Sequence, residues 1–231
     1  MLVMAIRNLE FSTGEFYHLY NRGVDKREIF KDDYDSGRFI KLLYLCNDTK
    51  NFEFRKLPEG LPFGLKRERT LVDIGAYCLM PNHFHLLIHE KEGGGISTFV
   101  QKLATAHSMY FNKKHSRTGR LFEGPFKAKH LDSDNYLNYI FAYIHLNPID
   151  LVESSWKEKG IKNLKEAKRH LENYKFSSCP EYLGINRPEK AVLNREAFPD
   201  YFSGEHDFDS FIESWLKFPA EEKADYLQNM P

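Results

Sequence analysis

Hydrophobic and polar positions change their period several times along the chain, and each change marks an element. Residues 16–21 alternate and are closed by Gly23, the pattern of a strand running into a turn. Asp32 and Asp33 then open a segment in which Phe39, Ile40, Leu42, Leu43 and Leu45 lie near helical spacing, with Asn47 and Asp48 as its stop. Residues 51–70 carry Pro58, Gly60, Pro62 and Gly64 among basic residues and read as a long loop or hairpin. A strand over 71–79 passes through Pro81 into a second strand that ends near Glu90. Gly93, Gly94 and Gly95 make a hinge, and Ser97 is the expected N-cap of a helix bearing Ile96, Phe99, Val100, Leu103, Ala106, Tyr110 and Phe111. Residues 120–131 read as a further, basic strand, and Ser133 or Asp134 caps a helix that runs to Leu146 and stops at Pro148. A Lys/Glu-rich helical stretch over 156–174, a turn at 177–180 and an amphipathic stretch over 208–218 complete the chain. The order predicts an α+β fold, an antiparallel sheet with helices on one face, over residues 1–150, followed by a helical extension over 151–231.

The 231 residues suffice for one sizeable core plus that extension. No run approaches the length of an apolar membrane span, and residues 1–9 lack the form of a secretory signal, so a soluble, cytoplasmic protein without a membrane partner is expected. Cys46, Cys78 and Cys179 lack Cys-x-x-Cys spacing and read as free, buried thiols. Net charge is zero but unevenly spread: residues 101–130 hold seven basic side chains against Glu123, and residues 196–231 hold nine acids against Lys217 and Lys223. A phosphate backbone feels charge only within a Debye length of about 8–10 Å, so a neutral total does not argue against a nucleic-acid partner.

The chemistry concentrates at residues 80–90, Met-Pro-Asn-His-Phe-His-Leu-Leu-Ile-His-Glu. In a strand His83 and His85 share one face while Phe84, Leu86 and Ile88 take the other, so two imidazoles can share one cation. His89 lies on the same face at the polar strand end and is the weaker candidate. In the helix after Ser133, Tyr143 and Asn147 are one turn apart, and the Asn147 amide oxygen suits the third position of a mixed nitrogen and oxygen site for Mg²⁺ or Mn²⁺. A tyrosine beside such a site is a nucleophile candidate, because a protonated phenol needs metal, base or desolvation to attack. Tyr136, Tyr139 and Tyr143 at helical spacing also suit a plain core stripe, and periodicity does not choose among them.

Four segments in this order, Tyr-His-Leu-Tyr-Asn-Arg-Gly at 17–23, Met-Pro-Asn-His-Phe-His-Leu-Leu at 80–87, Gly-Arg-Leu-Phe-Glu-Gly-Pro-Phe-Lys at 119–127 and Tyr-Ile-His-Leu-Asn-Pro at 143–148, resemble the single-tyrosine HUH transposases. Within them the chain is most similar to the insertion-sequence-200-like group and its REP-associated tyrosine transposase branch. Phe176-Ser177-Ser178 followed by Tyr182-Leu183-Gly184 resembles that branch's downstream signature. The resemblance implies a ferredoxin-like HUH endonuclease core and a divalent metal, Mg²⁺ or Mn²⁺, held by His83, His85 and Asn147. It implies Tyr143 as the nucleophile that cleaves single-stranded DNA beside a hairpin through a 5′-phosphotyrosine. Pro125 stands where the branch has a basic residue, and the 156–174 segment is longer than usual.

The expected activity is therefore that of a transposase, a metal-dependent single-strand DNA endonuclease and strand transferase acting on imperfect palindromes, as a monomer or homodimer. Arg22, Lys113, Lys114, Arg117, Arg120, Lys127 and Lys129 are the expected DNA contacts. The alternative is a non-catalytic DNA-hairpin binding protein derived from such an enzyme, which would use the same basic segment with Tyr110, Phe111, Phe122 and Phe126 as stacking partners. A metallohydrolase using water is a third reading.

Overall fold

The computed structural model describes residues 10–53, 62–202 and 204–217. The loop expectation at Pro58 and Gly60, and the acidic residues past 217, lie outside the described residues. Four strands form one antiparallel sheet in the order β2-β3-β1-β4: β1 Phe16–Arg22, β2 Val72–Met80, β3 His83–Glu90 and β4 Lys127–His130. Helix α1, Asp33–Leu45, links β1 to β2, and α2, Gly95–Lys114, links β3 to β4. This succession and strand order are those of a ferredoxin-like α+β core.

Helices α1 and α2 cover one face. Phe39, Leu42, Leu43, Phe99 and Leu103 pack there against Tyr17, Leu19, Phe84, Leu86 and Ile88. The sequence expectation of helices on one face is incomplete, because the other face is covered as well. Helix α3, Asp134–Leu146, lies on it and is backed by α7, Glu205–Lys217, with Leu87, Ile140, Ile144, Phe208 and Ile212 in one shared core. A bulge at Gly75 shifts the alternation of β2, so Val72 and Ile74 and then Tyr77 and Leu79 face α1 and α2, while Ala76, Cys78 and Met80 face α3. A Cβ at Gly75 would collide with the Phe198 ring, which closes over the bulge.

The extension is bound into this core. Its 156–174 stretch is two helices, α4 Trp156–Lys159 and α5 Leu164–Asn173, broken at Gly160, where φ is +73°. The Ser-Ser-Cys-Pro turn leads into the short helix α6, Cys179–Tyr182, and its first residues run beside β2: Leu79 N–H donates to Phe176 O and Ser178 N–H to Tyr77 O, both at 2.9 Å. Ser178 Oγ–H also donates to His145 Nε2 at 2.8 Å, the ring's Nδ1–H being used on Phe141 O, which ties this turn to α3. All three cysteines are free and buried.

Two boundaries differ from the sequence reading. Helix α2 starts at Gly95, two residues before Ser97, because the buried Glu90 carboxylate accepts from Ile96 N–H at 2.7 Å and does the work of a side-chain cap. Gly94 enters at φ +87° and a Cβ on Gly95 would strike Leu71 O, so both glycines are required. The basic strand expected over 120–131 is only β4, since Gly124 and Pro125 interrupt the extended run and leave Phe122 a single bridge to Gly23. No helix among the described residues is long and apolar enough to cross a membrane.

Candidate active site

The register of β1 against β3 builds the site. His18 is paired with Leu87, Tyr20 with His85 and Arg22 with His83, so these side chains share the sheet face that α3 covers. Antiparallel pairing with β4 adds Lys129 opposite His18 and Lys127 opposite Tyr20 on that face. Ser133 caps α3 by accepting from Tyr136 N–H at 3.4 Å, and the Asn147 N–H closes the last turn onto Tyr143 O. Cap and stop together set the rotation of α3, which turns Tyr143 toward the histidines.

Its ring stands edge-on to His85 with centroids 5.4 Å apart and to His18 at 6.0 Å. The neighbouring tyrosines are placed differently. Tyr139 is buried against Trp215 at 5.3 Å, and Tyr136 is half-buried beside Tyr20.

The imidazoles are poised as neutral ligands. His83 Nδ1 donates to Asn82 Oδ1 at 2.6 Å, which leaves Nε2 carrying the lone pair, and the Asn147 side chain reaches the same ring. His85 Nδ1 lies 2.9 Å from His18 Nε2 in a buried histidine pair, and His85 Nε2 has no protein partner. Asn147 is fully buried; its amide Nδ2 donates weakly back to Tyr143 O at 3.5 Å while Oδ1 is also without a partner. Burial lowers His83 to about 4 and His18 to about 3, the latter helped by the Lys129 charge. Burial likewise holds His85 well below the ordinary imidazole value, with the neighbouring His83, His18 and Lys157 adding to it. The buried His85 Nε2 and Asn147 Oδ1, both without a hydrogen-bond partner, are atoms that a cation site could use. The donor set of two imidazoles and one amide fits a divalent ion, although no cluster of three or more His, Cys, Asp or Glu occurs among the described residues. His89 is engaged elsewhere, 3.0 Å from Asp73 Oδ2.

Among the expected DNA contacts the structure brings Arg22, Lys127 and Lys129 to the histidine face, with Glu123 bridging Arg22 and Lys127 at 3.1 Å each. Lys113 and Lys114 end α2 on the opposite layer, where Lys114 is ion-paired to Asp32 and Asp35 at 2.7 Å. Arg117 lies beside Phe111 and Asn112 at that same end, and Arg120 is exposed in the loop that follows. Phe111 and Phe122 belong to the core and Tyr110 donates to Asp35, so three of the four proposed stacking aromatics are committed to packing.

Sequence reasoning passed over His18, Tyr20 and Asn82 as site residues. The alternation of His18, Tyr20 and Arg22 along β1 was the signal for the first two. It also passed over Lys157, which α4 brings to within 5.1 Å of the Tyr143 ring centroid, and nothing in its local pattern marks it.

An α+β sheet carrying two histidines and a tyrosine in contact defines a ferredoxin-like, histidine-bearing core. The family described as "Transposase IS200 like" matches residues 65–147, a segment from before β2 to the end of α3 that holds His83, His85, Tyr143 and Asn147. Over that segment the chain is similar to the IS200-like transposases. No curated protein matches it. A solved structure of a REP-associated tyrosine transposase bound to a REP hairpin is similar over 87% of this chain and 100% of that one, at 14% identity and a TM-score of 0.48, a likeness too distant to carry a functional argument.

Proposed function

We propose that the protein cleaves and rejoins single-stranded DNA at hairpin-forming sequences through a covalent link to Tyr143. The observation that carries this reading is the edge-on contact of the Tyr143 ring with His85 and His18, which neither Tyr136 nor Tyr139 shares. His83, His85 and Asn147 would hold a divalent ion, Mg²⁺ or Mn²⁺. When bound, such an ion polarises a phosphoryl oxygen.

The chain's own residues do the rest. His18 and Asn82 fix the orientations of His85 and His83 through their second ring nitrogens. Tyr143 attacks the scissile phosphorus: the phenol oxygen to phosphorus bond forms, the bond to the 3′-oxygen breaks, and the phenol proton is balanced by the one the 3′-hydroxyl gains. Arg22, Lys127 and Lys129 border the same face and offer charge to the flanking phosphates. Because the phosphotyrosine keeps the phosphodiester's bond energy, a different 3′-hydroxyl can reverse the step without a nucleotide cofactor, which is what strand transfer needs.

The test is incubation of the purified protein with Mn²⁺ and single strands carrying imperfect palindromes. A denaturation-resistant protein–DNA adduct with a free 3′-hydroxyl fragment is expected. Tight hairpin binding with no adduct would instead identify a binding protein, and a free 5′-phosphate end without adduct a water-using hydrolase.

A further inference from the structure

Lys157 sits on the first turn of α4, outside the segment that matches the transposase family, yet it points into the site. Its Nζ is 5.1 Å from the Tyr143 ring centroid, and the phenol is among the groups that stabilise its charge. The ammonium is anchored from behind: it donates to Asp150 Oδ2 at 2.8 Å, and the other oxygen of that carboxylate accepts from Trp156 Nε1 at 2.7 Å. Only a quarter of the side chain is exposed. Burial opposes its charge, but Tyr143 and Asp150 outweigh burial and keep it an ammonium. It also lies close enough to His83 and His85 for its charge to act on both rings.

A structural ion pair would end at Asp150. Here one of three ammonium donors is used on the carboxylate, and the cation stands over the Tyr143 ring within electrostatic reach of the His83 and His85 imidazoles. A divalent ion at His83 and His85 and the Lys157 ammonium would repel one another unless an anion lay between them. The ligand that satisfies both, and that lies beside the phenol oxygen, is a phosphate.

We propose that Lys157 is a catalytic residue that binds a non-bridging oxygen of the scissile phosphate and stabilises the negative charge that builds on it as Tyr143 adds. The Lys157 ammonium stays protonated throughout. This role rests on Tyr143 as the nucleophile, and it makes the extension, through α4, part of the reaction centre.

The experiment is single-turnover adduct formation by the wild-type chain, Lys157→Gln and Lys157→Arg, on strands with oxygen or with either phosphorothioate diastereomer at the cleaved position. Lys157→Gln should slow adduct formation about a hundredfold or more, as removal of one preorganised transition-state donor does. Lys157→Arg should recover part of the rate, while hairpin affinity and melting temperature change little. The signature is stereochemical: sulfur at one non-bridging position should slow the wild type and leave Lys157→Gln almost indifferent. If Lys157→Gln folds poorly, the same diastereomer comparison between wild type and Lys157→Arg carries the test, an equal sulfur effect in both overturning the contact. A wild-type rate in Lys157→Gln also overturns it while leaving Tyr143 in place, whereas absence of any adduct in the wild type overturns the nucleophile and this role together.

Discussion

His18 offers a sharp test of whether the two histidines of β3 work as a metal clip. His18 Nε2 is 2.9 Å from His85 Nδ1, the two rings stack at 5.0 Å, and both are almost completely buried. Replacing His18 by Phe keeps a planar ring and the packing but removes the hydrogen-bond partner. His85 Nδ1 is then stranded in the interior, which costs about 1–3 kcal/mol. Loss of such a partner behind a ligand lowers metal affinity by about 10–100-fold, equivalent to about 1.4–2.7 kcal/mol, so the two magnitudes agree. Titration calorimetry with Mn²⁺ on wild type and His18→Phe, with melting curves in chelator as the control for folding, measures it. We expect weaker Mn²⁺ binding by that factor, partly restored in His18→Gln, whose amide oxygen can accept from Nδ1. Equal Mn²⁺ affinity in a well-folded His18→Phe would refute the claim that this pair orients a ligand.

Two further outcomes are expected. Burial lowers His145 to about 3 and His107 to about 4 in the folded chain, so both take up protons on unfolding; the stability they contribute is complete above about pH 6.5 and is lost as pH falls toward those values, at up to about 1.4 kcal/mol per pH unit each. Urea unfolding between pH 6.5 and 4.5 should show a slope shallower by about that amount in His145→Gln, and an unchanged slope would contradict the neutral, buried assignment. Hairpin affinity should fall steeply with salt, and removing Lys127 or Lys129 should reduce the log–log salt slope by about 1 each, while Lys113→Ala on the opposite layer leaves it alone; the reverse pattern would move the DNA to the α1 and α2 face.

What the sequence made legible follows from range. β3 was readable because alternation is local, and so was α3, whose Ser133 cap and Pro148 stop lie at its own ends. The same rule placed His83 and His85 on one face and Phe84, Leu86 and Ile88 on the other. Contacts set by distant pairing were not legible. His18 meets His85 across 67 residues, and Lys157 is brought over the Tyr143 ring by the turn that follows Pro148, where it pairs with Asp150. The 101–130 segment is divided for a related reason: the end of α2 and strand β4 are close in sequence but lie in different layers. The second helical cover was missed because the amphipathic stretch over 208–218 shows an apolar face but not what it packs on, and Phe208, Ile212 and Leu216 back α3.

The central claim is that Tyr143, among three tyrosines on one helix, attacks DNA. Protease digestion of the adduct and mass spectrometry of the nucleotide-bearing peptide locate the link directly. The account predicts a phosphotyrosine at Tyr143, absent in Tyr143→Phe and retained in Tyr136→Phe and Tyr139→Phe; a link on any other residue, or an adduct that survives Tyr143→Phe, would contradict it.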